Sequence, residues 1–210
     1  MAKKNSRPYA HAERHLSRKV PELREVISSV GPCTLRPQGG DPFGMLVRAI
    51  VSQQISAKAA MSISERLAMF CGKPGLRPAA ILRAKEEGLR GCGLSHAKML
   101  SIRSLAEHFT AQPKAFARID ALPDEEIAEL LLPLRGIGPW TVQMFLIFVL
   151  GRLDVLPVAD FGLRAGVRSI FGLEELPTAT ELVEMAEPWR PYRTIGTWYC
   201  WKYRGPVPSS

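Results

Sequence analysis

The sequence predicts an all-α protein. Apolar residues recur at helical spacing along most of the chain. The segments that carry this period open on Asp, Ser or proline and stop at glycine, as helices do. A Gly-x-Gly turn, Gly136-Ile137-Gly138, joins two of the strongest of them.

Met1 to Lys19 is basic and polar (Lys3, Lys4, Arg7, Arg14, Arg18, Lys19) and reads either as a solvated tail or as an arm that touches phosphate. A short helix is expected over Val20–Val30, ended by Gly31-Pro32, followed by an irregular stretch to Gly40. Asp41-Pro42 caps the next helix, with Phe43, Leu46, Val47 and Ile50 inward. A polar knot, Ser52-Gln53-Gln54, separates it from a helix with Ala59, Ala60, Ile63, Leu67 and Phe70 inward. After a Gly/Pro linker at Gly72–Pro78 come a short helix to Lys85 and a turn at Gly88–Gly93. Ser95 caps a helix whose inner stripe is Met99, Ile102, Leu105, Ala106 and Phe109; Pro113–Ile119 forms one more short helix.

Ile127, Leu130, Leu131 and Leu134 mark the helix before the Gly-x-Gly turn, and Pro139 suits the first position of the helix after it. Val142, Phe145, Leu146, Val149 and Leu150 give that second helix its apolar stripe. The two glycines allow positive φ and close backbone approach. Free N–H groups and a positive dipole end at the second helix's start favour phosphate, without reading a base sequence. The plainer reading is a helical hairpin buried in a core. Asp154–Asp160 is a short extended run, and Asp160 sits where a cap belongs, ahead of a helix over Phe161–Phe171 with Arg164 and Arg168 off its apolar face. Thr178–Glu187 is an amphipathic helix. The last one holds five aromatics between Tyr192 and Tyr203, which either pack onto the lobe or form a stacking wall for a base.

Composition narrows the partner. The 210 residues carry a net charge of +8 and a pI of about 9.6, which suits a polyanion. No apolar run approaches the roughly 18 residues of a membrane span, and no apolar signal core opens the chain, so secretion and membrane insertion are not expected. Four scattered cysteines (Cys33, Cys71, Cys92, Cys200) lack zinc or iron–sulfur spacing and read as buried free thiols.

The helix, Gly-x-Gly hairpin and helix with GIGPWT…LPVADFGLR resemble the helix-hairpin-helix DNA glycosylases, and PFGMLVRAIVSQQISAKAA, GLSHAKMLSIRSLAEHF and WRPYRTIGTWYCWKY are similar to the alkylpurine branch, the 3-methyladenine DNA glycosylase II type. The resemblance runs from about Asp41 to Tyr203. It implies two helical lobes with a DNA cleft between them: residues 1–40 as a basic arm and short helix contributing to the first lobe, and 41–210 as the glycosylase core, with its hairpin at about 123–151. The four-cysteine cluster of the endonuclease III branch is not matched here, so no iron–sulfur cluster is expected.

By residue, the resemblance makes Asp160 the catalytic carboxylate and Trp140, Trp201 and Tyr199 the walls of a base pocket. It assigns DNA contacts to Gln53, Gln54, Gly136, Gly138, Thr141 and Arg164. Gln54 falls on the wedge position, where other members carry an apolar residue; a turn hydrogen bond is the alternative. His96 and Lys98 are further candidates for phosphate. The carbonyls of Leu132, Leu134 and Ile137 match those that hold a structural Na⁺ or K⁺ in related proteins, and no cofactor is needed for the chemistry. Ala159 replaces the acidic residue often found before the catalytic Asp.

The implied reaction is excision of alkylated purines (3-methyladenine, 7-methylguanine type) from double-stranded DNA by base flipping, in base excision repair. Such purines are cations, so a Trp face attracts them by roughly 0.5–2 kcal/mol and the leaving group needs little protonation. Asp160 would stabilise the oxocarbenium-like sugar and orient water. Bifunctional relatives carry a nucleophilic Lys two residues after the second Gly. Trp140 stands there instead, and no Lys lies between Lys114 and Lys202, so lyase activity is not expected. A monomer is expected, in the cytoplasm or nucleoid of a bacterium or the nucleus of a eukaryote. The rival readings are a glycosylase for deaminated purines and a non-catalytic lesion-binding protein.

Overall fold

A computed structural model describes residues 7–37, 39–72 and 76–203. Lys3, Lys4 and part of the Gly72–Pro78 linker lie outside the described residues. The helices in chain order are α1 (Ala10–Lys19), α2 (Pro21–Val30), α3 (Pro42–Ser52), α4 (Ala57–Cys71), α5 (Pro78–Arg83), α6 (Glu86–Gly91), α7 (His96–Ala111), α8 (Pro113–Ala117), α9 (Asp124–Leu131), α10 (Pro139–Phe148), α11 (Phe161–Phe171), α12 (Ala179–Met185) and α13 (Arg193–Lys202). Short 3-10 turns cover Ile119–Ala121 and Glu187–Trp189, and no strand occurs among the described residues. None of the described helices is long and apolar enough to cross a membrane. The chain divides into two compact units, one of Met1–Pro37 with Gly151–Ser210 and the other of Gln38–Leu150.

The Gln38–Leu150 unit is built around α7. Its buried face (Met99, Ile102, Leu105, Ala106) packs against α3 and α5. Met99, Ile102 and Leu105 each contribute roughly 1.5–3 kcal/mol through burial. Phe109 stacks on Phe116 with centroids 3.6 Å apart and meets Phe43 edge-on. The expected caps form: Asp41 accepts from the amides of Phe43 and Gly44, and Ser95 from that of Lys98. Two expectations need correction here. Residues expected as a turn at Gly88–Gly93 lie mostly in α6, because Glu86 and Glu87 start a helix that Leu89 anchors in the core. Phe70, expected inward, is 47% exposed and lies over Gly88, whose missing Cβ leaves room for the ring.

In the other unit, α1 and α2 pack on each other and on α13, and α13 also packs on α11. The tail reading therefore fails for Ala10–Lys19. Ala12, Glu13 and Leu16 of α1 are buried despite the basic residues around them. Glu13 is the hub. Its Oε1 accepts from the Cys33 amide at 2.7 Å and from the Tyr199 hydroxyl at 3.2 Å, while Oε2 lies 3.5 Å from the Arg7 guanidinium. Thus a buried carboxylate is fully engaged, as burial requires. Close helix approach at α13 depends on glycine. A Cβ on Gly166 would stand 2.5 Å from the Cys200 carbonyl oxygen, and one on Gly196 would stand 2.4 Å from the Trp189 ring.

Candidate active site and nucleic-acid interface

Asp160 caps α11, its Oδ1 accepting from the Leu163 amide at 2.7 Å. The capping reading is correct, yet it is not the whole of the residue's environment. The same Oδ1 accepts from the indole N–H of Trp201 at 2.8 Å. Gly162 permits this, since a Cβ there would lie 3.1 Å from the Trp201 ring and 3.2 Å from Asp160 Oδ1. Two donors from different helices therefore hold one carboxylate oxygen in place.

The run leading to Asp160 is tied down by residues the sequence did not mark. Arg193 donates through Nε to Asp154 Oδ1 at 2.8 Å and through Nη2 to Oδ2 at 3.0 Å, and Arg190 reaches Oδ2 at 2.8 Å. Thr194, fully buried, accepts from the Val155 amide and donates to the Arg152 carbonyl. The forked Arg193–Asp154 pair thus fixes the start of the loop whose end is Asp160. Phe161, the residue after Asp160, is 71% exposed. An aromatic at a helix's first position, off the buried stripe, was the signal available for it.

Tyr199 is not a pocket wall. It is fully buried, and its hydroxyl donates to Glu13 and to the Gly31 carbonyl at 3.0 Å. Burial, and then the neighbouring Glu13, push its hydroxyl pKa far up, so it is a neutral core donor. Helical periodicity cannot separate an inward from an outward aromatic when every face of α13 but its end is covered. Arg164 is likewise engaged within its unit, donating to the Pro177 carbonyl at 2.8 Å.

In the other unit the hairpin divides its two glycines between two tasks. Gly136 has φ +78°, and a Cβ on it would stand 2.5 Å from the buried Ser101 hydroxyl, so the fold itself requires glycine. Gly138 has φ −104°, so of the two glycines only Gly136 uses the positive φ that both allow, and a Cβ on Gly138 would meet no protein atom within 4 Å. The first turn of α10 carries no side-chain cap. Thr141 is buried and accepts from Gln53 Nε2 at 3.3 Å, while the same amide donates to the Gly136 carbonyl at 2.9 Å. Gln53 and Thr141 thus brace the hairpin from within, where direct contact with DNA was expected.

Lys98 was a phosphate candidate, but its ammonium donates to the carbonyls of Val51 and Gln53 at 2.8 Å each, and burial lowers its pKa. It closes the C-terminal end of α3, where a cation suits the dipole. The next residue, Gln54, is exposed with φ +57°, a conformation that side chains rarely adopt. The Gln53–Gln54 turn is thus clamped from below, with one strained side chain displayed. Beside it, α3, α4 and α10 enclose an apolar cavity of about 700 Å³ with Trp140, Met45, Met61 and Met144 among its lining. Trp140 is 38% exposed.

Residues 47–191 match the model of the HhH-GPD superfamily of base excision DNA repair proteins. The alkylbase DNA glycosidase-like protein mag2 of Schizosaccharomyces pombe is 35% identical over 92% of this chain and 93% of its own length. Among solved structures, the S. pombe 3-methyladenine DNA glycosylase in complex with abasic DNA superposes with a TM-score of 0.83 at 33% identity, covering 92% of this chain and 96% of that one. The DNA-3-methyladenine glycosidase of Bacillus halodurans gives 0.80 at 32% identity, over 96% and 90% of the two chains. With its glycine hairpin, its tethered Asp160 and this extent of likeness, the chain belongs to the HhH-GPD superfamily of base excision DNA repair proteins.

Proposed function

We propose that the protein is a monofunctional DNA glycosylase that hydrolyses the N-glycosidic bond of alkylated purines in duplex DNA, releasing the base and leaving an abasic site. The observation that carries this reading is the doubly hydrogen-bonded Asp160 carboxylate, held by the Leu163 amide and the Trp201 indole. A preorganised anion of this kind stabilises an oxocarbenium-like sugar as the bond to the base breaks, and a carboxylate so held also suits orienting the attacking water. Because an N-alkylated purine leaves as a neutral base, no strong general acid is needed. Trp140 stands where bifunctional relatives carry lysine, so the reaction is hydrolysis with no Schiff base.

The hairpin and Gln54, on the turn that Gln53 braces, supply the DNA contacts. Gly138 leaves the start of α10 open to a phosphate, and Gln54, exposed and at positive φ, would enter the duplex where a nucleotide leaves it. The Trp140 face and the thioethers around it suit a planar cation. DNA as partner is supported by the S. pombe relative's complex with abasic DNA. The hairpin also fits a monovalent cation. Among the described residues no backbone amide donates to the Leu132 or Ile137 carbonyl, and Leu134's accepts only from Ile137. These three would hold Na⁺ or K⁺, which would link hairpin to phosphate without taking part in bond breaking.

The test is base release from duplex DNA carrying N-methylated purines, compared between the wild type and Asp160→Asn. Release that falls by about a hundredfold or more in the variant supports reaction and residue together. Equal release by both overturns Asp160 as the catalytic group. No release by either, with duplex binding intact, favours a deaminated-purine substrate or a lesion-binding role.

A further inference from the structure

Between α1 and α2 lies a hollow of about 630 Å³ lined by Arg7, Arg14, Arg18 and Arg24 together with Ser17 and Glu13. Its one acid serves Arg7 alone: Glu13 is buried, its Oε2 pairs with the Arg7 guanidinium at 3.5 Å and its Oε1 is taken by the Cys33 amide and the Tyr199 hydroxyl, so Arg14, Arg18 and Arg24 meet no acid in the hollow. Arg24 is braced by donating to the Ser17 carbonyl at 2.9 Å. Arg14 and Arg18 are exposed, one helical turn apart, and their guanidiniums make no hydrogen bond or ion pair with other described residues. Like charges at this spacing repel. The acids of α2 do not relieve them, since Glu22 and Glu25 line a different hollow with Ser29 and Tyr203. Charge is thus segregated by sign on the two sides of α2.

We infer that this arginine groove is a second phosphodiester-binding site, contacting the DNA backbone independently of the α9–α10 hairpin. Guanidinium groups suit it, because each forks onto phosphate oxygens. The groove carries no aromatic face among its lining on which a base could stack, and phosphate contacts of this kind position a duplex without reading its sequence. The inference rests on the reading of the chain as a DNA-binding glycosylase and extends its footprint to the N-terminal helices.

Each phosphate neutralised steepens the fall of log binding constant with log salt by about 0.9. The experiment is the salt dependence of equilibrium binding to an abasic-site duplex, which needs no base release. The full-length wild type is compared with the Arg14→Gln/Arg18→Gln double variant. Lys114→Gln/Arg118→Gln, two exposed cations on and just after α8, removes the same charge elsewhere. The groove variant should reduce the slope by about 1.8 and weaken binding tenfold or more at low salt, while the α8 variant changes the slope by much less. Equal slopes for the groove variant and the wild type, or equal losses in both variants, overturn the groove while leaving the glycosylase reading intact. A wild type that does not bind duplex DNA overturns both. Thermal melting checks folding, which exposed Arg14 and Arg18 should not affect.

Discussion

The indole N–H of Trp201 donates to Oδ1 of Asp160 at 2.8 Å, across the gap that Gly162 leaves open. A tryptophan expected to stack on a base is thereby tied to the acid, and its nitrogen and its ring have separable effects. Trp201→Phe keeps an aromatic face and removes the donor. We expect base release under single-turnover conditions to fall by about 10- to 150-fold, the equivalent of one charge-assisted hydrogen bond, with DNA affinity nearly unchanged. A variant that loses affinity and keeps its rate would show that the indole serves packing alone.

Gln54 is held at φ +57° on a turn clamped by Lys98. Gln54→Gly should raise stability by up to about 1 kcal/mol, because glycine occupies this region without strain. If the side chain enters the duplex, the same change slows base flipping, read from the fluorescence of 2-aminopurine beside the lesion. A more stable protein with unaltered flipping would assign the strain to the turn itself.

Gly136 and Gly138 should respond oppositely to alanine. Gly136→Ala forces a Cβ against Ser101 at positive φ, so a loss of roughly 1–3 kcal/mol in urea unfolding is expected. Gly138→Ala meets no protein atom and should leave the unfolding midpoint unchanged, while the added methyl weakens DNA binding.

Tyr199 belongs to stability, and its alkaline behaviour reports that. Burial raises the pKa of Tyr199 above its usual value of 10.0 and that of Cys33 from 9.0 to about 12. In the unfolded chain both lose their protons at the lower, ordinary values. The folded state therefore holds more protons above pH 9–10, and stability falls there by up to about 1.4 kcal/mol per pH unit for each group. Tyr199→Phe should lower stability at neutral pH, since Glu13 and the Gly31 carbonyl lose a donor. It should also flatten the alkaline loss, and leave base release per folded molecule intact. A drop in release without a drop in stability would return Tyr199 to the pocket.

Most of the helices, though not α1 or α6, and the catalytic candidate could be read from the chain alone. Capped starts at Asp41 and Ser95, the apolar stripe of α7 and the Gly-x-Gly turn are local features, set by backbone geometry and near-neighbour spacing, and they were legible. Asp160 was found the same way, by its place at a helix start within a matching motif. Tertiary structure alone decided what each polar side chain faces. Tyr199 turned out to be core, Gln53 and Thr141 turned out to brace the hairpin, and Lys98 turned out to clamp a helix end. The Arg193–Asp154 fork that fixes the start of the loop ending at Asp160 spans 39 residues and leaves no periodic trace. Ala10–Lys19 shows the same limit from the other side. Its composition reads as solvent-exposed, but one buried carboxylate with three partners converts it into a packed helix, because the cost of burying a charge depends on partners that only the folded chain assembles.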